Sequence, residues 1–373
     1  MAITASDEPV VIGTGIVPVR EAWETSLRDL GSHVVRAALK DASNPKVDAL
    51  YVGNAYGNVL SHQANLGALI SEHSGLCGVE SHTVEAAGAS GAGAFRAACI
   101  AVQSGWVDVA IALGVEKFTE VPGSEAESAA ALTLNYEYES SQGMTLQAQA
   151  ALLAQRYLAH WNLSRDIFEG VVIAAYNHAA DNPNAMFHGM DEKRYRNQPI
   201  IADPLGLYDT AFLADGAAAA VIVRKSTAQA LGVASPIFVR GSANAVAPLS
   251  LHDRHDLLSW DAVRKSTLAA LHKAHLSLAD IDWLELWDAS VIELVLSLES
   301  GGLLEAGKGW QSPPKPVNQS GGCLGRGNPV GASGMYQLVE SVNRLQNEDA
   351  GRNALIQAVG GCGATAITHI LSN

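Results

Sequence analysis

The order of strands, helices and glycine turns repeats once along this chain, and that repetition constrains the fold more than any single motif does. Val10 to Gly13 is an apolar strand closed by glycine, and Ile237-Phe238-Val239-Arg240-Gly241 is another. Thr25 to Asp41 carries Leu27, Leu30, Val34, Val35 and Ala38 at helical spacing, and Trp260 to Ala274 is the matching amphipathic segment. Val47 to Val52 corresponds to Ile281 to Leu286, and Asp215 to Val223 corresponds to Gly361 to Thr368. The copies predict two halves, residues 1–232 and 233–373, joined near Gly232 to Pro236. Right-handed β-α-β crossovers would stack helices on both faces of each sheet.

Within the first half, the run Val84 to Gly93 (VEAAGASGAG) ends a strand read over Ser81 to Ala86. A helix follows, with Phe95, Cys99 and Val102 on one face. Gly88 therefore sits where a strand turns into a buried helix. Free N–H groups and the helix dipole favour an anion there, and a thiol there would have a lowered pKa. Gly88 offers no side chain. Asp108 to Val115 is apolar on both faces, which predicts a central, parallel strand. From about 116 to 207 the pattern loosens into helices near Leu146–His160 and Arg165–His178 and a polar stretch from Asp181 to Pro204. This reads as an inserted loop domain, after which Leu213 to Arg224 returns to the core.

Composition limits the function classes. The 24 basic and 38 acidic residues give a net charge of −14, without any basic cluster, so binding to nucleic acid is not expected. No apolar run is long enough for a membrane span, and the start of the chain does not read as a signal peptide. The four cysteines, Cys77, Cys99, Cys323 and Cys362, lack CxxC spacing. Reduced thiols and a cytoplasmic location are the expectation, with no structural zinc.

Six segments in order resemble the thiolase superfamily, most closely the sterol-carrier-protein-type thiolases and their archaeal relatives. Val84–Gly91 is similar to that group's VEAACASG, and Gly114-Val115-Glu116-Lys117-Phe118 to its GVEKM. Asn177-His178 with Asn182–Ala185 is similar to KNH…NPYA, and Asp215–Ala219 to DGAAA. Asn318–Gly334 (NQSGGCLGRGNPVGASG) is similar to NPSGGLKAKGHPVGATG, and Val359–Leu371 to VGGxGATAVVHIL. The resemblance implies a five-layered αβαβα fold with two pseudo-symmetric halves, a homodimer, and acyl-CoA as ligand. It implies no covalently bound cofactor, coenzyme A thioester being the substrate. Relatives of this type often assemble with a zinc-ribbon/OB-fold protein, so such a protein or an active thiolase-type subunit is a candidate partner.

The same resemblance puts ordinary thiolysis in doubt. The family's acyl-accepting Cys falls on Gly88, the GHP histidine on Asn328, the HDxF histidine on Trp287, and the second Cys on Gln357. Gly88 retains a backbone N–H which, with one from Gly361 to Gly363, could cradle a thioester oxygen. Asn328 can donate to an oxyanion but cannot take a proton at neutral pH, and Trp287 is a donor only. Trp287 reads equally well as packing. Cys362 is the one thiol near the site, although a small buried Cys in a turn is more often structural. Cys77 and Cys99 read as core residues. Ser290 has no evident base beside it, His62, His178 and His188 read as polar loop residues, and Asp215 reads as shaping a turn.

Three functions are compatible with these residues. One is a non-catalytic scaffold subunit of a thiolase or acyltransferase complex. Another is a retro-aldolase on a β-hydroxyacyl-CoA, which needs no acyl-enzyme. Related aldolases place a tyrosine where Trp287 stands, and Tyr336 matches such a tyrosine poorly. The last is an acyltransferase using Cys362. The retained glycine turns favour an acyl-CoA-binding protein within a system that makes or breaks C–C bonds.

Overall fold

The computed structural model describes residues 8–373. The first half opens with β1 (Pro9–Ile16), α1 (Leu27–Asp41), β2 (Ala49–Gly53), α2 (Gly57–Leu60), α3 (Leu66–His73), β3 (Glu80–Val84), α4 (Ser90–Ser104) and β4 (Val109–Glu116). A mainly helical insert follows: α5 (Gly123–Ala130), α6 (Leu146–Trp161), α7 (Ile167–His178), α8 (Glu192–Arg196) and the ribbon β5 (Ile200–Ala202) with β6 (Leu205–Gly206). β7 (Gly216–Arg224) and α9 (Lys225–Ala230) return to the core. The second half comprises β8 (Ile237–Val246), α10 (Asp261–Ala274), β9 (Trp283–Leu286), α11 (Val291–Ser300), α12 (Gly322–Arg326), α13 (Ser333–Asn347), β10 (Asn353–Gly360) and β11 (Thr365–Ser372).

Nine strands form one mixed sheet in the order β3-β2-β4-β7-β1-β8-β11-β10-β9. Outward from the β1–β8 seam, β7-β4-β2 on one side mirrors β11-β10-β9 on the other. On both sides the pairings run antiparallel, antiparallel, parallel. The seam is short: Val10 pairs with Phe238 and Val11 with Ile237. α4 and α13 touch each other and strands of both halves, so they form the middle layer, while α1 covers β1 and β7 and α10 covers β8 and β11. The layers thus alternate helix, strand, helix, strand, helix.

Small residues set the close approach of the middle layer. A Cβ on Gly91 of α4 would lie 2.8 Å from the Gly331 carbonyl oxygen. One on Gly334 of α13 would lie 2.9 Å from the Ala92 nitrogen. These contacts bring the N-terminal ends of both helices together beneath the site. Alanine at either place would force the helices apart, a change that packed interiors resist.

Two expectations need correction. β4 is central, yet it is parallel only to β2 and runs antiparallel to β7, because the insert brings the chain back from the opposite end. Cys77 is exposed, lying in the loop before the edge strand β3, whereas Cys99 is buried on α4. No helix among the described residues is long and apolar enough to cross a membrane.

Candidate active site

The Gly88 turn is a single 3-10 turn, Ala87–Ala89, between β3 and α4. Gly88 is buried. A Cβ built on it would lie 2.2 Å from the Trp287 ring and 2.5 Å from the Val359 carbonyl oxygen. Trp287, 5% exposed, therefore occupies the room a side chain at 88 would need. The two residues are 199 positions apart, and no local pattern connects them.

Beside them lies a small cavity of about 70 Å³. Gly88, Trp287, Asn328, Gly361 and Cys362 all line it. Gly363 does not; it borders a separate opening with Arg254 and Trp260. The backbone N–H groups of Gly88 and Gly361 donate to no group among the described residues. Asn328 accepts from the Val330 N–H at 3.0 Å and the Ser333 hydroxyl at 2.8 Å, both at Oδ1. That fixes the amide's orientation and leaves Nδ2 as a donor at the cavity.

The cavity also holds an acid that was not singled out from the sequence. Glu293 opens α11, and its Oε1 accepts from Trp287 Nε1 at 3.3 Å. Its Oε2 accepts from Ser290 Oγ at 3.0 Å. Ser290 thus has a carboxyl beside it after all. Burial raises the Glu293 pKa to about 7, against the lowering effect of its Ser290, Trp287 and Cys362 neighbours. Ser290-x-x-Glu293 has the form of a helix capping box, but the Ser290 side chain caps no backbone N–H. Both side chains are turned to the cavity instead.

Cys362 sits in the β10–β11 turn with a left-handed φ of 50°. Burial first, and the adjacent Glu293 second, push its thiol well above its ordinary range. That is the opposite of an activated nucleophile. Gln357 donates to Thr267 and Thr368 within the core and does not line the cavity. Tyr336 is buried, donating to the Val17 carbonyl at 2.7 Å and accepting from the Ala217 N–H at 2.9 Å, so it ties strands together away from the cavity. His62, His178 and His188 do not line it either. His178 meets the Asn318 carbonyl at 3.1 Å beside a different groove.

Two buried carboxylates hold the walls. Glu116 accepts from Asn54 Nδ2 and from the N–H groups of Ala55, Tyr56 and Gly331 at 2.8–3.2 Å. It thereby pins the Tyr56 and Val330 walls together. Asp215 does more than shape a turn. It accepts from the N–H groups of Ala22, Phe118 and Thr119 at 2.9, 2.6 and 3.0 Å, and from Lys117 Nζ at 3.3 Å.

Larger clefts flank the cavity. One of about 640 Å³ shares Gln147, Thr210, Ala211 and Leu213 with it. Another of about 400 Å³ shares Tyr56, Ala87, Thr133 and Gly361. Among the described residues, neither cleft is lined by lysine or arginine.

Four buried acids near the site predict a pH dependence. Burial raises Glu116 and Glu285 to about 8, Glu293 to about 7 and Asp288 to about 6. Each folded-state pKa exceeds its unfolded value, so unfolding releases protons and alkali favours the unfolded chain. Stability is thus expected to fall as pH rises from about 4 through 8. Melting temperatures between pH 5.5 and 8.5 check this. Glu285→Gln should flatten the slope; a wild-type melting temperature that rises over that range would contradict the assignment.

A mirrored mixed sheet around two central helices, with both glycine turns meeting at one cavity, defines an α/β protein of the thiolase type. Comparison with known proteins makes the membership plain: the chain belongs to the thiolase family. Residues 10–226 match the thiolase N-terminal domain and residues 243–373 the thiolase C-terminal domain-like family. An acetyl-CoA acetyltransferase of Methanothermobacter thermautotrophicus is 34% identical over 97% of this chain and 98% of its own. The benzoylsuccinyl-CoA thiolase subunit BbsB of Thauera aromatica is 30% identical over 91% of this chain and 92% of its own. Among solved structures, the Ltp2-ChsH2(DUF35) aldolase superposes with a TM-score of 0.81 at 22% identity, over 100% of this chain and 99% of that one.

Proposed function

We propose that this protein binds a coenzyme A thioester and acts in making or breaking a C–C bond next to the thioester, by a route without an acyl-enzyme. The observation that carries the reading is the Trp287 ring in the space a nucleophile at 88 would fill. Thiolysis needs a nucleophile with a base in hydrogen-bond reach. Here position 88 has no side chain, and the Cys362 thiol is held protonated. What remains suits an enolate. The Gly88 and Gly361 N–H groups and Asn328 Nδ2 are donors beside one small space, and such preorganised donors stabilise developing negative charge. The flanking clefts give the two arms of a substrate, acyl group and pantetheine, separate room.

A retro-aldol reaction on a β-hydroxyacyl-CoA is the form these groups support best. It requires an acid or base in the cavity, which Glu293 supplies, and an enolate site. The likeness to a solved aldolase agrees in fold. The phosphates of coenzyme A call for positive charge, which neither cleft supplies. A partner subunit would provide it: the BbsB relative is itself named as a subunit, and the aldolase as a pair, Ltp2 with ChsH2.

Product analysis by mass spectrometry tests the reading. The protein is incubated with β-hydroxyacyl- and β-ketoacyl-CoAs, with and without free CoA and with co-purified partners retained. The expected result is a shortened acyl-CoA plus an aldehyde or ketone, without a requirement for free CoA. Cleavage only when CoA is added would mean thiolysis. CoA esters retained without turnover would mean a binding subunit.

A further inference from the structure

We propose that Glu293 is the catalytic acid/base of this site, taking a proton from the bound thioester substrate and returning it to carbon. The inference deepens the function proposed above and rests on it. Three observations besides its position in the cavity support it.

The first is how its carboxyl is held. Its oxygens accept from Trp287 Nε1 at 3.3 Å and Ser290 Oγ at 3.0 Å, with the Cys362 thiol as a third neighbour. A carboxylate has about four acceptor sites, so acceptor capacity remains. The residue is buried yet borders empty space, so a substrate hydroxyl can reach it.

The second is that the same residues serve two purposes. Trp287 closes the space at Gly88 with its ring and aims its N–H at Glu293. Ser290, at the N-cap of α11, gives its hydroxyl to Glu293 and leaves the helix end without a side-chain cap.

The third is that the competing groups are unsuitable. Tyr56 Oη donates to the Ala130 carbonyl at 3.3 Å, and burial pushes its pKa above the useful range. Cys362 is held as a thiol and Asn328 cannot titrate. A pKa near neutrality is what an acid/base group needs, and Glu293 has one.

The step balances without any other reagent. The Glu293 carboxylate takes the β-hydroxyl proton. The C–O bond becomes a carbonyl as the Cα–Cβ bond breaks, and the electron pair of that bond becomes the thioester enolate. The carboxylic acid then protonates the enolate at Cα, giving the shortened acyl-CoA and regenerating the carboxylate.

The test compares wild type, Glu293→Gln and Glu293→Asp, each checked for folding by melting temperature. It reads three quantities: carbonyl product release, exchange of the Cα hydrogens of the acyl-CoA product in D2O, and binding of a non-cleavable thioether analogue of that product. Glu293→Gln should lower both rates at least 100-fold while analogue binding stays within threefold, a split that a purely structural residue would not give. Glu293→Asp keeps the acid but withdraws it by one methylene, and should lose at least tenfold; it decides the matter if the Gln variant does not fold. A folded variant of either kind that turns over within twofold of an active wild type overturns the assignment of Glu293 alone. A wild type with neither cleavage nor exchange overturns the proposed function and this assignment together.

Discussion

Gly88→Cys is expected to destabilise the protein and to leave thiolysis absent. A Cβ at 88 meets the Trp287 ring at 2.2 Å and the Val359 carbonyl oxygen at 2.5 Å. Real side chains do not approach so closely, so either the indole or the β10 backbone must move. Overpacking of this kind costs about 1–3 kcal/mol, and the sulfur needs further room. The ring cannot swing away freely, because its N–H is tied to Glu293 and its edges pack against the apolar cluster around α11. Chemical denaturation would show the midpoint falling. Gly88→Cys combined with Trp287→His should recover part of the loss, since the smaller ring vacates the contact. A single Gly88→Cys variant as stable as wild type would show that the tryptophan does not hold the site shut.

Arg326→Met should be more damaging still. The Arg326 side chain is fully buried and pairs with Glu340 at 2.7 Å. Nε and Nη2 have no hydrogen-bond partner among the described residues. Glu285 and Asp288 also lie within its field. Removing the cation leaves the Glu340 carboxylate buried without its counter-charge, which costs about 3–5 kcal/mol. The double replacement Arg326→Met with Glu340→Leu should regain much of that, because a buried ion pair is often matched by apolar groups of similar volume. Denaturant titration of the three variants gives the coupling energy. A single variant within about 1 kcal/mol of wild type would show that the Arg326–Glu340 pair does not hold this region together.

These variants mark where the sequence is legible and where it is not. The repeated strands and helices could be read because each is local and periodic: α1 begins two residues after Thr25, and α10 begins one residue after Trp260. The glycine turn at 88 was legible for the same reason, a strand ending against an apolar helix. The direction of β4 relative to β7 was not, since it depends on where the insert returns the chain. Trp287 could be taken for packing or for a site residue, and only its contact with Gly88 decides how the space is used. Arg326 sits among glycines in a segment that reads as a loop, and its burial depends on a partner one helix further on. Glu293 escaped because Ser-x-x-Glu before an apolar run has an ordinary meaning as a helix start. What sets it apart is its contact with Trp287 at the cavity, which depends on the tertiary fold.

The central claim is chemistry on an acyl-CoA without an acyl-enzyme, and intact-protein mass spectrometry during turnover tests it most directly. Protein sampled under steady-state cleavage of a β-hydroxyacyl-CoA and quenched in acid should keep its unmodified mass while acyl-CoA and carbonyl product accumulate. An adduct of acyl mass that forms and decays at the rate of turnover, and that disappears with Cys362→Ala, would contradict the account and make Cys362 the nucleophile.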